Sequence, residues 1–268
     1  MGVVRVATFN VMHGRSLDDG RVDVQRFERV VAGLDVDVLG LQEVDRGQAR
    51  SGGVDLAGVA ARALGRGGVP AVFRFVPAVV GTPGGVFRAA VDERDGVGEP
   101  LYGVALVSRW PVREWWVRRL PAAPVRSPVF VPGPGGGLVW LRDEPRVVLA
   151  AVVEGPWGVV TVATTHLSFV PGWNVRQLRS AVGALRGLPG PRVLLGDLNV
   201  PAGLVAPVSG WRVLARCATY PSSSPRVQLD HVLVDPRGGG ALVAGGVVAP
   251  RVSVSDHRPL VVELARSS

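Results

Sequence analysis

Short apolar runs rich in valine and other strand-forming residues recur from one end of the chain to the other. Runs of this kind are typical of strands in mainly buried sheets. We predict strands at residues 3–9, 36–41, 71–80, 102–108, 146–153, 157–165, 192–197, 229–234 and 259–264. A chain with so many buried strands must cover both faces of its sheets, so the pattern favours packed sheets over a helical bundle.

A few segments have helical spacing instead. Apolar residues recur with a period near 3.6, and arginine and glutamine fill the opposite face. The two clearest sets are Val24, Phe27, Val30, Val31 and Leu34, and Val175, Leu178, Val182 and Leu185. A third helix is predicted over about residues 55–64. Strands alternating with few helices predict two sheets packed together with helices outside.

Glycine and proline concentrate at residues 81–100, 121–137 and 235–250. We predict long rim loops there, where binding specificity often lies. Polar residue clusters fall on both sides of each stretch, and none of the stretches separates two self-sufficient halves. We therefore expect one domain over residues 1–268.

The charge balance suits an anionic partner. The chain carries a net charge of +8 and contains no lysine, so all 30 of its cationic side chains are arginine. Positive potential speeds the encounter with phosphates. An alanine-, valine-, glycine- and proline-rich composition is also what a biased genome produces, so the charge permits a nucleic-acid partner without requiring one.

Cysteine content and hydropathy constrain the cellular compartment in which we expect the protein. The only cysteine, Cys217, excludes an intramolecular disulfide and a cysteine-based metal cluster. The chain also lacks the run of ~18 apolar residues that a membrane helix needs. We expect a monomeric cytoplasmic protein with no membrane span.

The most informative stretch for function is Gly196-Asp197-Leu198-Asn199, which closes an apolar strand. Strand alternation would point Asp197 and Asn199 to the same side. A carboxylate beside a carboxamide can orient a water and hold an anionic oxygen or a hard cation. The alternative is an ordinary turn at the end of a strand.

Other polar clusters sit at predicted strand ends, and each has an ordinary explanation as a turn, a cap, a solvated acid or a core histidine. They are Thr8-Phe9-Asn10, Leu41-Gln42-Glu43, Thr165-His166-Leu167, Leu229-Asp230-His231 and Ser255-Asp256-His257. Together they supply the parts of a metal-dependent phosphodiesterase. Glu43 offers a carboxylate for Mg²⁺, with Asn10 and Asp256 to support it.

The histidine-containing clusters would act on the phosphate. His257 offers a base or a cation, and Asp230 can fix its tautomer. His231 adjoins Asp230, and alternation points it away from the cleft.

This ordered set of motifs, extended by Val44-Asp45 and Arg258-Pro259, resembles the endonuclease/exonuclease/phosphatase superfamily over nearly the whole chain. The resemblance implies an α/β fold, a four-layered α/β sandwich with two mixed β-sheets face to face and helices outside. It implies an active site at one edge of that sandwich.

The resemblance also implies roles for individual residues. Glu43 would be the main ligand of Mg²⁺, or of Mn²⁺ in its place, with Asn10 beside it and Asp256 near the metal. Asp197 would orient or deprotonate the attacking water, and Asn199 would hold the phosphate.

His257, paired with Asp230, would stabilise the scissile phosphate. His166 matches the second histidine of the deoxyribonuclease and sphingomyelinase branches, where it assists the leaving group. Nucleases of the exonuclease III type carry a tyrosine and an asparagine in that region, so His166 argues against a dedicated abasic-site nuclease.

Further positions have weaker support. Tyr102 resembles an active-site tyrosine, and aromatic packing at a strand start explains it equally well. Arg146 resembles a recurrent arginine near the cleft of the family, and a solvated or ion-paired surface arginine explains it equally well. Arg176 follows Trp173, and a cation beside an aromatic could clamp a base or sugar phosphate, although Trp173 itself fits a helix-entry contact better.

The function predicted from these residues is Mg²⁺-dependent hydrolysis of a phosphodiester, with DNA or RNA as the first substrate class. The alternative is a hydrolase of a lipid headgroup or of a small phosphoester. A third hypothesis, a catalytically silent member that binds a phosphorylated partner, fits the intact motif set less well.

Overall fold

The structure of the protein is a computed structural model that describes residues 2–131, 137–237 and 242–266. Its helices are α1 (Val24–Leu34), α2 (Leu56–Leu64), α3 (Trp173–Leu185) and α4 (Ala202–Ser209). Its strands are β1 (Val4–Asn10), β2 (Val38–Arg46), β3 (Val72–Gly81), β4 (Phe87–Ala89), β5 (Leu101–Ser108), β6 (Val112–Leu120), β7 (Arg126–Val131), β8 (Gly137–Arg142), β9 (Arg146–Gly155), β10 (Gly158–His166), β11 (Arg192–Asp197), β12 (Arg212–Val213), β13 (Asp230–Val234), β14 (Leu242–Val248) and β15 (Leu260–Arg266).

Two mixed sheets form the centre of the molecule. The first has the order β14-β15-β1-β2-β5-β3-β4, and the second has the order β12-β13-β11-β10-β9-β6. Within the first sheet β1 pairs in parallel with β2, and within the second β10 pairs in parallel with β11, whereas the flanking pairs are antiparallel. Strands β7 and β8 form a separate two-stranded hairpin.

In the described parts of the chain, the buried apolar side chains form three separate clusters that define four layers. One cluster packs α1 and α2 on the first sheet, the second fills the space between the sheets, and the third packs α3 and α4 on the second sheet. Val6 and Val38 of the first sheet and Leu149 and Leu195 of the second belong to the middle cluster. The predicted α/β sandwich of two face-to-face mixed sheets with outer helices is confirmed.

Local sequence explains where the helices begin. Asp23 precedes α1, and its carboxylate accepts a hydrogen bond from the Arg26 backbone N–H at 3.0 Å. Asp55 caps α2 in the same way through the backbone N–H groups of Ala57 and Gly58. These caps satisfy amide groups that have no partner within the helix.

The prediction of long loops was wrong in part. Strand β4 lies within residues 81–100, β7 within 121–137, and β14 within 235–250. The glycines of β14 hid its strand pattern, and a register shift between Ala244 and Gly246 accommodates them. Residues 132–136 and 238–241 of the predicted loops lie outside the described residues.

The sequence pattern also missed β6, β8, β12 and α4. Strand β6 is an edge strand of the second sheet and carries charged residues on its open side, so it lacks the apolar run that marked the others. Helix α4 contains Pro207, which is unusual inside a helix. Over the same described ranges, no helix combines the length and apolarity that crossing a bilayer requires.

The close approach of the two sheets at Gly40 gives a stability prediction. A Cβ atom there would lie 2.6 Å from Thr164 Oγ1 and 3.3 Å from the Leu195 Cβ of the opposite sheet. We expect Gly40→Ala to destabilise the fold by about 1–3 kcal/mol through overpacking.

Urea unfolding checks this expectation. Gly33→Ala in α1 is the matched control, because no described atom beyond its chain neighbours and the backbone of its own helix lies within 4 Å of its added methyl group. That helix substitution should stabilise the protein by ~0.5–1 kcal/mol. Equal midpoints for Gly40→Ala and the wild type would contradict the described sheet packing.

Candidate active site

Adjacent strand ends of the second sheet bring three polar side chains together. His166 at the end of β10 is the register partner of Asp197 at the end of β11. On the other side of β11, Asp197 is the partner of Asp230 at the start of β13. The pairing therefore places His166 and Asp230 on either side of Asp197 at one edge of the sandwich.

The first sheet ends at the same edge and contributes Asn10 and Glu43. The Asn10 side-chain amide donates to Glu43 Oε1 at 3.0 Å and to Asp197 Oδ2 at 3.0 Å. Its own carbonyl oxygen accepts the Met12 backbone N–H at 3.1 Å. Asn10 thus links the carboxylates of the two sheets.

These strand ends open into a cleft of about 460 Å³. Most of the residues singled out from the sequence line it, while Asn10 and Asp230 lie buried behind the wall. The lining residues are Met12, His13, Glu43, Arg50, Pro83, Gly84, Tyr102, Leu141, Glu144, Arg146, His166, Phe169, Asp197, Asn199, Tyr220, Leu229, Asp256 and His257.

Asp197 occupies the centre of this cleft. Its Oδ1 accepts the Asn199 backbone N–H at 3.1 Å, and its Oδ2 lies 3.6 Å from His166 Nε2 and 3.7 Å from His257 Nε2. Both separations exceed a hydrogen bond. Burial raises the pKa of the Asp197 carboxyl, and the neighbouring charge of His257 opposes that rise.

His257 is held by a buried carboxylate. Its Nδ1 lies 2.8 Å from Asp230 Oδ2, which also accepts the Thr219 hydroxyl at 2.6 Å. Burial alone would lower the pKa of His257, but the negative charges of Asp230 and Asp197 outweigh it, and the pKa is raised. The raised pKa favours the imidazolium form of His257, and its Nε2 lies 3.7 Å from Asp197 Oδ2.

His166 has the opposite character. Its Nδ1 lies 3.1 Å from Nη1 of Arg146, and Arg146 is also 3.4 Å from Asp143. Burial, with the positive charges of Arg146 and His257, holds the pKa of His166 well below its usual value. An arginine can only donate, so the neutral ring accepts at Nδ1 and carries its proton at Nε2.

Glu43 reaches the cleft because of a bulge in β2. The pairing of β2 with β5 shifts register between Leu41 and Val44, and Glu43 adopts a φ of 56°. A positive φ is strained for a glutamate and is found where a function requires the geometry. Burial and the nearby charge of Asp256 raise the pKa of Glu43 to about 7.

Asp256 and His257 lie in the turn before β15, and Ser255 ties that turn to β1. Ser255 adopts a φ of 72°, and its hydroxyl donates to the Asn10 carbonyl at 2.6 Å. The Ser255 hydroxyl oxygen also accepts the His257 backbone N–H at 3.0 Å. These hydrogen bonds connect the turn to the strand that carries Asn10.

The alternation argument for Asn199 was wrong, although Asn199 does line the cleft. Strand β11 ends at Asp197, and Asn199 follows it with a φ of 49°. Its side-chain amide donates to the Leu167 carbonyl at 2.9 Å. A turn capped by the Asp197 carboxylate, and not strand periodicity, brings the two side chains to one cleft.

The remaining sequence candidates fall in different places. Tyr102 lines the cleft, and the guanidinium of Arg50 lies 5.6 Å from its ring. Arg176 stacks on Trp173 at 5.0 Å and is exposed, outside the described lining of the cleft. His231 is buried with Nε2 3.0 Å from the Val200 carbonyl, away from the cleft as predicted.

Sequence reasoning missed several lining residues. Arg50 is anchored by Asp45 at 2.7 Å, and the ring of Tyr220 lies 4.9 Å from that of His257. Burial and the charges of Arg50 and Arg15 lower the pKa of His13 to about 3. Arg50 and Tyr220 lie in connections outside periodic runs, so no spacing signal pointed to them.

Among the residues that the structure describes, two groups are candidates for holding a cation. Asp197, Asp230 and His257 bring their ligand atoms within 4.8 Å of one another. In that group His257 Nδ1 already lies 2.8 Å from Asp230. The negative charges of Asp230 and Asp197 also raise the pKa of His257, which favours the protonated ring that cannot coordinate a metal ion. Glu43 and Asp256 both line the cleft, and the charge of Asp256 adds to the effect of burial in raising the pKa of Glu43.

Comparisons with known proteins agree with this architecture. The model of the Endonuclease/Exonuclease/phosphatase family matches residues 7–257. A search of curated proteins found no match.

Several solved structures are similar in fold. An endonuclease/exonuclease/phosphatase from Beutenbergia cavernae is 25% identical, with a TM-score of 0.65 over 100% of this chain and 72% of that one. A mannosyl-6-phosphatase from Bacteroides thetaiotaomicron is 15% identical, with a TM-score of 0.59 over 98% of this chain and 99% of that one. Sphingomyelinase C from Streptomyces griseocarneus is 18% identical, with a TM-score of 0.56 over the same shares.

The family match begins within β1, ends at His257 just before β15, and includes every carboxylate and imidazole described above. The chain belongs to the endonuclease/exonuclease/phosphatase family.

Proposed function

We propose that the protein hydrolyses a phosphodiester by in-line attack of a water that Asp197 activates, with Mg²⁺ as the metal. The observation that carries this proposal is the convergence of the Nε2 atoms of His166 and His257 on one oxygen of Asp197, at 3.6 and 3.7 Å. Two N–H donors beside a carboxylate suit a phosphoryl oxygen next to an attacking water.

The carboxylates fit a divalent cation. Glu43 and Asp256 both line the cleft, and burial and the charge of Asp256 raise the pKa of Glu43. A bound cation would offset both effects by stabilising the charged carboxylate. The oxygens of Glu43 and Asp256 are ligands that Mg²⁺ prefers, and Asn10 holds Glu43 in position. When bound, Mg²⁺ or Mn²⁺ would neutralise charge that develops on the phosphoryl oxygens.

Asp197 would accept the proton of the attacking water. Hydrogen bonds from Asn10 and from the Asn199 backbone fix its two oxygens and leave lone pairs directed into the cleft. The pKa of Asp197 is raised toward neutral pH, which suits a general base.

The histidines would bind the phosphate in two different ways. His257 is an imidazolium and would offer both a charge and a hydrogen bond to a nonbridging oxygen. His166 is neutral, so it would donate a hydrogen bond from Nε2 without acting as a strong acid. Arg146 would set that tautomer through its contact with Nδ1.

A panel of substrates tests the proposal. With Mg²⁺ present, we would measure hydrolysis of bis(4-nitrophenyl) phosphate, DNA, RNA, sphingomyelin and inositol phosphates. Cleavage of bis(4-nitrophenyl) phosphate, DNA or RNA supports the proposal, and cleavage of none of these three contradicts it. Activity confined to sphingomyelin or inositol phosphates would favour the alternative, a hydrolase of a lipid headgroup or small phosphoester.

Asp230→Asn is expected to lower kcat by about 10²-fold, because an amide cannot stabilise the imidazolium of His257. Asp230 is a positioning residue, since it contacts His257 and lies behind the cleft wall. Thr219→Val is the control, because it removes one hydrogen bond to Asp230 and keeps the charge. The kinetics would be measured on bis(4-nitrophenyl) phosphate, and equal kcat values for both variants would contradict the role of Asp230.

A further inference from the structure

The β7–β8 hairpin carries two arginines directly opposite each other. Arg126 and Arg142 are register partners, so their side chains stand on one face of the hairpin. Pro128 and Trp140 form the next pair on that face. Like charges placed directly opposite destabilise a strand pair, so this arrangement has a cost that a bound anion would remove.

Neither arginine is neutralised within the described parts of the chain. Both are exposed, and no described carboxylate forms an ion pair with either of them. Glu144 is the one acid in the described lining of the adjoining cavity, and it lies 3.6 Å from Arg146 instead. The two guanidinium groups are therefore available to a ligand.

The hairpin face borders a second cavity that continues the catalytic cleft. This hairpin cavity has a volume of about 420 Å³ and includes Arg126, Trp140 and Arg142 in its lining. It shares lining residues with the catalytic cleft, namely Gly84, Leu141, Glu144 and Phe169. A substrate whose scissile phosphate lies beside Asp197 can therefore extend past Phe169 to the arginine pair.

We propose that the hairpin cavity binds a second phosphoryl group of the substrate, next to the phosphate that is cleaved. Two unpaired guanidinium groups on one face match the oxygens of a phosphate, which arginine binds with fork-like geometry. Trp140, 60% exposed on the same face, offers a surface on which a planar ring would stack. This inference rests on the proposed function and specifies its substrate as one with more than one phosphate.

Matched pairs of diesters test the inference and separate two sources of the second phosphate. The first pair is thymidylyl-thymidine with and without a 5′-phosphate, and the second is glycerophosphoinositol with and without a phosphate on the ring. We expect the added phosphate to raise kcat/KM by at least about tenfold in one pair, mainly through KM. The gain should shrink as salt rises, because both arginines are exposed.

In the responsive pair, Arg126→Gln/Arg142→Gln should reduce the ratio of kcat/KM with the added phosphate to kcat/KM without it to ~1. The matched control is Arg29→Gln/Arg179→Gln, which removes two exposed helix arginines outside the described lining of both cavities. That control should keep the full ratio. A second phosphate without effect in either pair, or a ratio that survives loss of Arg126 and Arg142, would overturn the inference.

A binding measurement keeps this test separate from the proposed function. The substrate panel decides the proposed function. If the wild type cleaves none of these diesters, calorimetry with 5′-phosphorylated thymidylyl-thymidine and the Asp197→Asn variant still tests the cavity. Adding the two arginine substitutions should then weaken binding by at least about tenfold. Equal affinities would overturn the inference.

Discussion

Replacing Asp197 by asparagine is expected to lower kcat for a phosphodiester by about 10²- to 10⁴-fold, the range of general acid–base catalysis. The amide keeps the size of the side chain and an oxygen that can accept from Asn10 or from the Asn199 backbone. It cannot take a proton from water. The loss should therefore appear in kcat, with KM nearly unchanged.

The substitution also alters the charge around the histidines, and this has a separate consequence. Asp197 contributes to the raised pKa of His257. The variant should therefore lower that pKa only in part, because the charge of Asp230 remains. Asp18→Asn is the control, since it removes an exposed carboxylate outside the described lining of the cleft. If Asp197→Asn has the same kcat as that control, Asp197 does not act as the general base.

The second large effect is expected at Glu43. Glu43→Gln keeps an acceptor for Asn10 but removes the charge that faces Asp256. A metal ion supplies several kcal/mol of charge stabilisation, so weak binding at working Mg²⁺ should lower the rate by about 10²-fold or more. Raising the Mg²⁺ concentration should restore part of that rate.

Thermal unfolding gives a readout of the Glu43 site that does not depend on activity. Mg²⁺ or Mn²⁺ should raise the Tm of the wild type, because a ligand of the folded state stabilises it by mass action. The shift should be much smaller in Glu43→Gln and unchanged in the control Glu28→Gln on α1. Full hydrolysis by the wild type in excess chelator would contradict the metal role.

Much of the fold was predictable because its signals are local. The apolar spacing of Val24, Phe27 and Val31 specifies the buried face of α1, and the apolar runs specify the central strands of both sheets. Strand β6 was not predictable in this way, since an edge strand with one open face mixes charged and apolar residues. The hairpin β7–β8 was missed because proline and glycine dominate its surroundings.

The site was predictable only as a set of strand ends. His166, Asp197 and Asp230 end or begin neighbouring strands, so their sequence positions imply proximity once the strand order is known. The conformations of Glu43 and Asn199 were not predictable, because a bulge and a left-handed turn residue depend on tertiary pairing. The charge states of the two histidines likewise depend on partners from distant segments.

Hydrolysis of bis(4-nitrophenyl) phosphate in ¹⁸O-labelled water with Mg²⁺ tests the central claim most directly. Water that attacks phosphorus leaves its oxygen in the 4-nitrophenyl phosphate product, whereas attack on the aromatic carbon leaves it in 4-nitrophenol. We predict that mass spectrometry will find the label in the phosphate product, formed by the wild type and almost absent with Asp197→Asn. Label in 4-nitrophenol, or equal labelled product from both proteins, would contradict the account.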